Sequence, residues 1–203
     1  MKIALIGVTG NVGTRLLAEL LNRGHEVTGI ARDPAKVAPQ PGLTLKKADV
    51  ANPSELAGAL KGNAAVVHSV HFLDSDPHKM IAAAKEAEAG RLLVVGGAGS
   101  LEVAPGVRLV DTPDFPEAYK AESLAGADFL DVLRGETELA WTFLSPSAYF
   151  IPGERTGKFR LGGDQLLVDG KGESKISYED FAIALVDELE SPVHLHQRFT
   201  IGY

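Results

Sequence analysis

The feature that most constrains this chain is its alternation: short β-type runs take turns with helical stretches from the first residue onward. Lys2–Ile6 reads as a buried strand. Val12, Leu16, Leu17, Leu20 and Leu21 then recur at helical spacing, and Gly24 ends that helix. His25–Ala31 is a second strand, followed by Asp33-Pro34 as a side-chain cap with proline at the first helical position. Leu43–Val50 is a third strand, and Asn52-Pro53-Ser54-Glu55 opens a helix that runs to about Leu60. Ala64–Val70, the helix Lys79–Ala89 and the strand Leu92–Val95 continue the pattern. A proline-containing loop leads into a helix over Glu117–Arg134 and a sixth strand over Trp141–Leu144. From Gly153 the chain turns glycine-rich, with a short strand at Gln165–Val168. A helix capped by Ser177 and lasting to about Leu189 follows, then a last strand at Arg198–Ile201.

Alternation of this kind predicts an α/β fold with a doubly wound parallel sheet, because each parallel strand needs a crossover and helices supply it. Ligands then bind beyond the carboxyl ends of the strands, where the strand order reverses. The chain has 203 residues, which predicts one domain over 1–203, with 153–203 contributing a small cap on the substrate side. It has no cysteine, which excludes disulfides, thiolate nucleophiles and cysteine-ligated metal centres and suits a cytoplasmic location. A net charge of −7 without a Lys/Arg cluster argues against a nucleic-acid partner. No signal peptide is read at the N-terminus, and no apolar run approaches the roughly 20 residues that cross a membrane.

Gly7, Gly10 and Gly13 stand between the first strand and the first helix. The first glycine allows a sharp turn, the second lets a pyrophosphate approach the backbone, and the third lets helix and sheet pack closely. The helix start adds N–H groups and partial positive charge for the phosphates. The stretch Ile6-Gly7-Val8-Thr9-Gly10-Asn11-Val12-Gly13 resembles the G-x-x-G-x-x-G turn of extended and atypical short-chain dehydrogenases. The whole chain, including Trp141-Thr142-Phe143-Leu144-Ser145-Pro146 and Ile176-Ser177-Tyr178-Glu179-Asp180-Phe181-Ala182, resembles small NAD(P)H-binding proteins near the NmrA-like proteins and flavin (biliverdin-IXβ) reductases. The resemblance implies a Rossmann fold of strand order 3-2-1-4-5-6. It also implies NADP(H), with NAD(H) as the alternative, held by Gly7, Thr9, Gly10, Asn11, Val12 and Gly13.

At the end of the second strand, Arg32 takes the place where the resemblance puts a binder of the 2′-phosphate, and a guanidinium grips phosphate through two N–H groups. Asp33 is an acid near the distance that NAD enzymes use for the ribose, but a helix cap before Pro34 is its simpler role. By the same resemblance Asp49 reaches the adenine amino group and Val50 packs on the ring; an acid at a helix entry is the competing role for Asp49. Ser69 and Val70 after the fourth strand, and Gly97 after the fifth, fall beside the ribose and nicotinamide.

Carbonyl-reducing relatives use Ser or Thr with Tyr and Lys, the Lys four residues after the Tyr. Lys120 has the matching position, but Pro116 stands where the phenol belongs and Tyr119 lies about 100° away around a helix. His68 and His71 invite a metal reading, yet only His78 lies near as a third ligand, and no metal is expected. Without a placed phenol, the expected reaction is NADPH-dependent hydride transfer to a small flavin, quinone or similar conjugated acceptor, which draws its proton from water. Lys120 would hold the ribose, Pro146 and Ser147 would line the nicotinamide, and Tyr149, Phe150 and Ile151 would wall the acceptor. Core or lid packing is the competing role for Tyr149 and Phe150. A non-catalytic redox sensor of the NmrA type, which alone would call for a protein partner, is the alternative; a sugar-nucleotide epimerase or dehydratase is a third.

Overall fold

The computed structural model describes all residues from Met1 to Tyr203. Twelve strands are present: β1 (Lys2–Ile6), β2 (Glu26–Ala31), β3 (Leu43–Lys47), β4 (Ala65–His68), β5 (Arg91–Val95), β6 (Glu102–Ala104), β7 (Val107–Arg108), β8 (Ala140–Ser145), β9 (Tyr149–Ile151), β10 (Arg160–Gly162), β11 (Lys175–Ser177) and β12 (Gln197–Gly202). Five helices separate them: α1 (Asn11–Asn22), α2 (Pro53–Leu60), α3 (Pro77–Glu86), α4 (Glu117–Arg134) and α5 (Tyr178–Glu190). Eight strands form one sheet in the order β10-β12-β8-β5-β4-β1-β2-β3, parallel throughout except for β10. The expected order 3-2-1-4-5-6 is present as β3-β2-β1-β4-β5-β8. The sheet then continues through β12 and β10.

Side chains alternate across a strand, so a strand buried on both faces feeds two cores. In β1, Ala4 and Ile6 enter a core with Leu56 of α2, Met80 of α3 and Phe129 of α4, whereas Ile3 and Leu5 meet Leu16 of α1 and Phe181 of α5. Each fully buried Leu, Ile or Phe contributes about 1.5–3 kcal/mol, and such residues fill both faces. The two cores fix the helices, and the helices fix which residues overhang the strand ends.

Local punctuation accounts for most boundaries. Asn52 caps α2 by accepting from the Glu55 N–H at 3.4 Å, and Ser177 caps α5 by accepting from the Asp180 N–H at 3.0 Å. Asp76 accepts from the N–H groups of His78 and Lys79 at 2.8 and 3.2 Å, so α3 starts at Pro77, earlier than its apolar run suggests. Asp33-Pro34 starts only a single 3-10 turn, Pro34–Lys36, and Asp33 makes no cap hydrogen bond. Pro39 and Pro41 follow too soon for a helix to grow. The strand expected at Gln165–Val168 lies instead at Arg160–Gly162, where β12 offers an antiparallel partner, and Gln165 keeps one isolated bridge to Glu102. Of residues 153–203, read from the sequence as a cap, α5 and β12 belong to the body of the fold, in the helix layer and the sheet.

Candidate functional site

Parallel pairing delivers the expected residues to one edge of the sheet. Ile6 is registered with Ile30 of β2 and with His68 of β4, so Gly7, Arg32 and Ser69 emerge side by side. On the other half, Val94 pairs with both His68 and Phe143, and Val95 with Leu144, which brings Gly96-Gly97 beside Ser145-Pro146. The adjoining backbones are tied as well: Gly7 N–H donates to Ile30 O at 2.9 Å, Ser69 N–H to Ile6 O at 3.0 Å, and Gly96 N–H to Leu144 O at 2.8 Å.

The turn after β1 requires its glycines sterically. Gly7 has φ +81°, and a Cβ there would lie 2.0 Å from Ser69 O. A Cβ on Gly13 would lie 2.1 Å from Gly7 O, so helix and turn touch backbone to backbone. At Gly10 the space is different: an added Cβ would meet only Gly7 O at 3.3 Å and Ser69 O at 4.0 Å, and would project into the open cradle between the turn and β4. Gly10 also begins α1, which has no side-chain cap and no acid in its first turn, unlike α2 and α5, which have both. Thr9 and Asn11 are exposed at the rim, and Val12 is half-buried. This donor-rich, uncapped cradle fits a pyrophosphate.

Arg32 is exposed beyond β2, while Asp33 lies 3.9 Å from Lys36. Asp49 and Val50 are half-buried, and one Asp49 carboxylate oxygen accepts from the Ala51 N–H at 3.0 Å. Ser69 is half-buried, and Val70 packs against the glycine turn. Gly97 faces the ring of Phe72, 3.9 Å from where a Cβ would stand. Pro146 and Ser147 are buried, and Ser147 Oγ donates to Ile201 O at 2.9 Å, so this strand end offers the ledge backbone rather than a hydroxyl. In β9 Phe150 turns inward, its ring 4.6 Å from Tyr178 and 4.7 Å from Phe181, so packing is the role it fills. Tyr149 and Ile151 point outward and are exposed.

Helix α4 overhangs the end of β5. Lys120 is exposed in its first turns, and one turn later Ser123 lies against Gly99, where a Cβ would stand 2.6 Å from the Ser123 Cβ. Glu122, on a different side of α4, accepts from the backbone N–H groups of Phe72 and Leu73 at 2.7 and 3.1 Å and faces His71 Nδ1 at 3.4 Å. That pairing spans 51 residues and leaves no local mark in the sequence. The two histidines of the β4 end therefore part company. His71 is exposed, whereas His68 is fully buried, bonded through Nε2 to Ser75 Oγ at 2.8 Å, stacked on Phe72 and tilted against Phe129. Burial pushes the His68 imidazole down to about 4, so it is a neutral packing group near pH 7. No three His, Asp or Glu side chains converge to hold a metal ion.

The cap is tied by buried charge. Asp180 accepts from the N–H groups of Thr156 and Gly157, both at 2.8 Å, and from the Tyr203 hydroxyl at 2.9 Å. Arg198 donates to Asp164 at 2.7 Å and to Ser145 and Ser100 at 3.3 and 3.4 Å, and its burial lowers the guanidinium's affinity for its proton. Ser100 is thereby turned toward Arg198. No helix is long and apolar enough to cross a membrane.

Residues 7–192 match the family described as NAD(P)H-binding. The uncharacterized protein YwnB of Bacillus subtilis (strain 168) is 43% identical over 211 residues, covering 99% of this chain and 98% of its own. A solved structure of a candidate epimerase from Bacteroides thetaiotaomicron is 46% identical with a TM-score of 0.95, covering 100% of this chain and 96% of that one. A candidate NADH-flavin reductase from Streptococcus pneumoniae is 39% identical with a TM-score of 0.85, covering 100% and 99%.

Proposed function

The chain belongs to the NAD(P)H-binding family, and from that premise we propose that it is an NADPH-dependent reductase that passes hydride to a flavin, a quinone or a similar conjugated acceptor. The observation that carries this reading is the start of α4. Lys120 stands where a ribose-binding lysine belongs, but Pro116, the residue before the helix, occupies the place of the phenol that ketone reduction uses. A conjugated acceptor delocalises incoming charge and has less need of that group. Likeness to the Streptococcus pneumoniae protein supports the same acceptor class. The epimerase name borne by the Bacteroides relative fits less well, because epimerase chemistry in related folds relies on the missing Tyr-x-x-x-Lys pair.

In this reading the turn Gly7–Gly13 and the opening of α1 hold the pyrophosphate, Arg32 holds the 2′-phosphate, and Asp49 with Val50 receives the adenine. Ser69, Val70, Gly97 and the backbone at Pro146 and Ser147 line the ribose and nicotinamide, and Lys120 fixes the ribose. Tyr149 and Ile151 wall the acceptor. The bound coenzyme supplies the hydride. A cysteine-free chain that uses a reduced coenzyme suits the cytoplasm.

Two measurements test this. Arg32 has no ion-pair partner in the protein, so its guanidinium is available to a phosphate. Arg32→Ala should weaken NADPH binding about 10- to 100-fold and NADH binding little, the difference expected for losing a charge-assisted pair of hydrogen bonds. Equal losses in a fluorescence titration refute the NADP assignment. A panel of flavins and quinones assayed with NADPH should show turnover; tight coenzyme binding with no turnover on any of them would favour a redox sensor instead.

A further inference from the structure

We propose that His71 is the proton donor of the reducing site and that Glu122 is its positioning residue; the inference rests on the reductase reading above. His71 follows β4 by three residues, on the strand whose end lies between the glycine turn and Gly96-Gly97. Its Nδ1 faces Glu122 Oε1 at 3.4 Å, which leaves Nε2 free on the open side, and the side chain is 82% exposed. Glu122 is itself held by the N–H groups of Phe72 and Leu73. A carboxylate behind one imidazole nitrogen fixes the ring and its tautomer, as a donor in reaction requires.

The other candidates near the ledge are committed elsewhere. Ser147 Oγ bonds Ile201, Ser100 faces Arg198, and His68 is buried against Ser75. Tyr149 is exposed with no partner to orient it. The charged groups around His71 are Glu122 from α4 and Asp74 in its own turn; Lys120, about 200° round α4 from Glu122, acts electrostatically on Asp111.

Two electrons drawn from the reduced coenzyme reach the acceptor with the hydride, and charge builds on an acceptor oxygen or nitrogen. The Nε2–H bond of protonated His71 breaks and an O–H or N–H bond forms on the acceptor. His71 is left neutral with its remaining proton on Nδ1, toward Glu122, and solvent restores the proton on Nε2.

The test uses the intact protein. With an acceptor that turns over, His71→Gln should lower kcat about 100-fold. It should leave NADPH affinity within about twofold. Independently of turnover, nitrogen NMR of labelled histidine should find neutral His71 with its proton on Nδ1. Glu122→Ala, which removes the carboxylate altogether, should release that tautomer. Unchanged kcat in His71→Gln, or a tautomer indifferent to Glu122→Ala, overturns the proposal. If the unaltered protein reduces no acceptor, the reductase reading fails and the donor role with it, whereas turnover that His71→Gln leaves intact removes the donor alone.

Discussion

Around the glycine turn the chain is positioned by backbone lying on backbone; around the cap it is positioned by side chains that reach across long stretches of sequence. Gly7 and Gly13 leave no room for a methyl group next to Ser69 O and Gly7 O. Loop 153–157, by contrast, rests on Asp180 and on Arg155, which donates to Glu19 at 2.9 Å. A steric seat of the first kind fails abruptly when it is altered. A web of polar contacts of the second kind gives way in steps, because water can replace each lost partner on the exposed side.

The sharpest way to break this contrast is Gly7→Ala. A Cβ 2.0 Å from a carbonyl oxygen, at φ +81°, should cost about 4 kcal/mol or more and abolish coenzyme binding. A loss below about 1 kcal/mol in urea unfolding would show that the turn can shift after all.

Next in size is the acid limb set by His68 beneath the same edge. Its affinity for a proton falls from about 6.5 in the unfolded chain to about 4 when buried, so the unfolded chain binds more protons in that window. Stability from this group is complete above about pH 6.5 and is lost as pH falls toward 4, by up to about 3 kcal/mol. His68→Gln should flatten this limb; unfolding midpoints that fall just as steeply in the variant would discount the group.

Asp180→Ala tests the cap. The Thr156 and Gly157 N–H groups and the Thr156 hydroxyl lose their acceptor, while the Tyr203 hydroxyl keeps Ser177, at a cost of about 2–3 kcal/mol, part of it recovered by water at the exposed loop. Trypsin should then cut faster at Arg155 or Lys158 while NADPH still binds. Coenzyme affinity lost as completely as in Gly7→Ala would erase the distinction between the two regions.

The same difference explains what was legible in the sequence. The glycine turn, the six-strand order and the ends of α4 were readable because their causes are local: a residue without a side chain, a hydrophobic period, Pro116 before the helix and Gly135 after it. Asp33-Pro34 misled because a cap and a proline start a helix only if the following residues sustain it. Gln165–Val168 has the apolar run of a short strand, yet it keeps only one isolated bridge to Glu102, whereas Arg160–Gly162 finds a full antiparallel partner in β12. The links of Glu122 to Phe72, Asp180 to Thr156 and Arg198 to Asp164 join residues 50, 24 and 34 positions apart, and no window of sequence contains both partners' reasons.

Helix α4 meets the molecule at two missing methyl groups: Gly99 admits Ser123, and Gly126 admits the ring of Phe72, 2.9 Å from where a Cβ would be. Seated that closely, it works as a fixed jaw that holds Glu122 against the turn after β4, with Lys120 on another side of the helix. Under the reductase reading proposed above, changes in the size or shape of the acceptor would fall to the loops after β8 rather than to this helix.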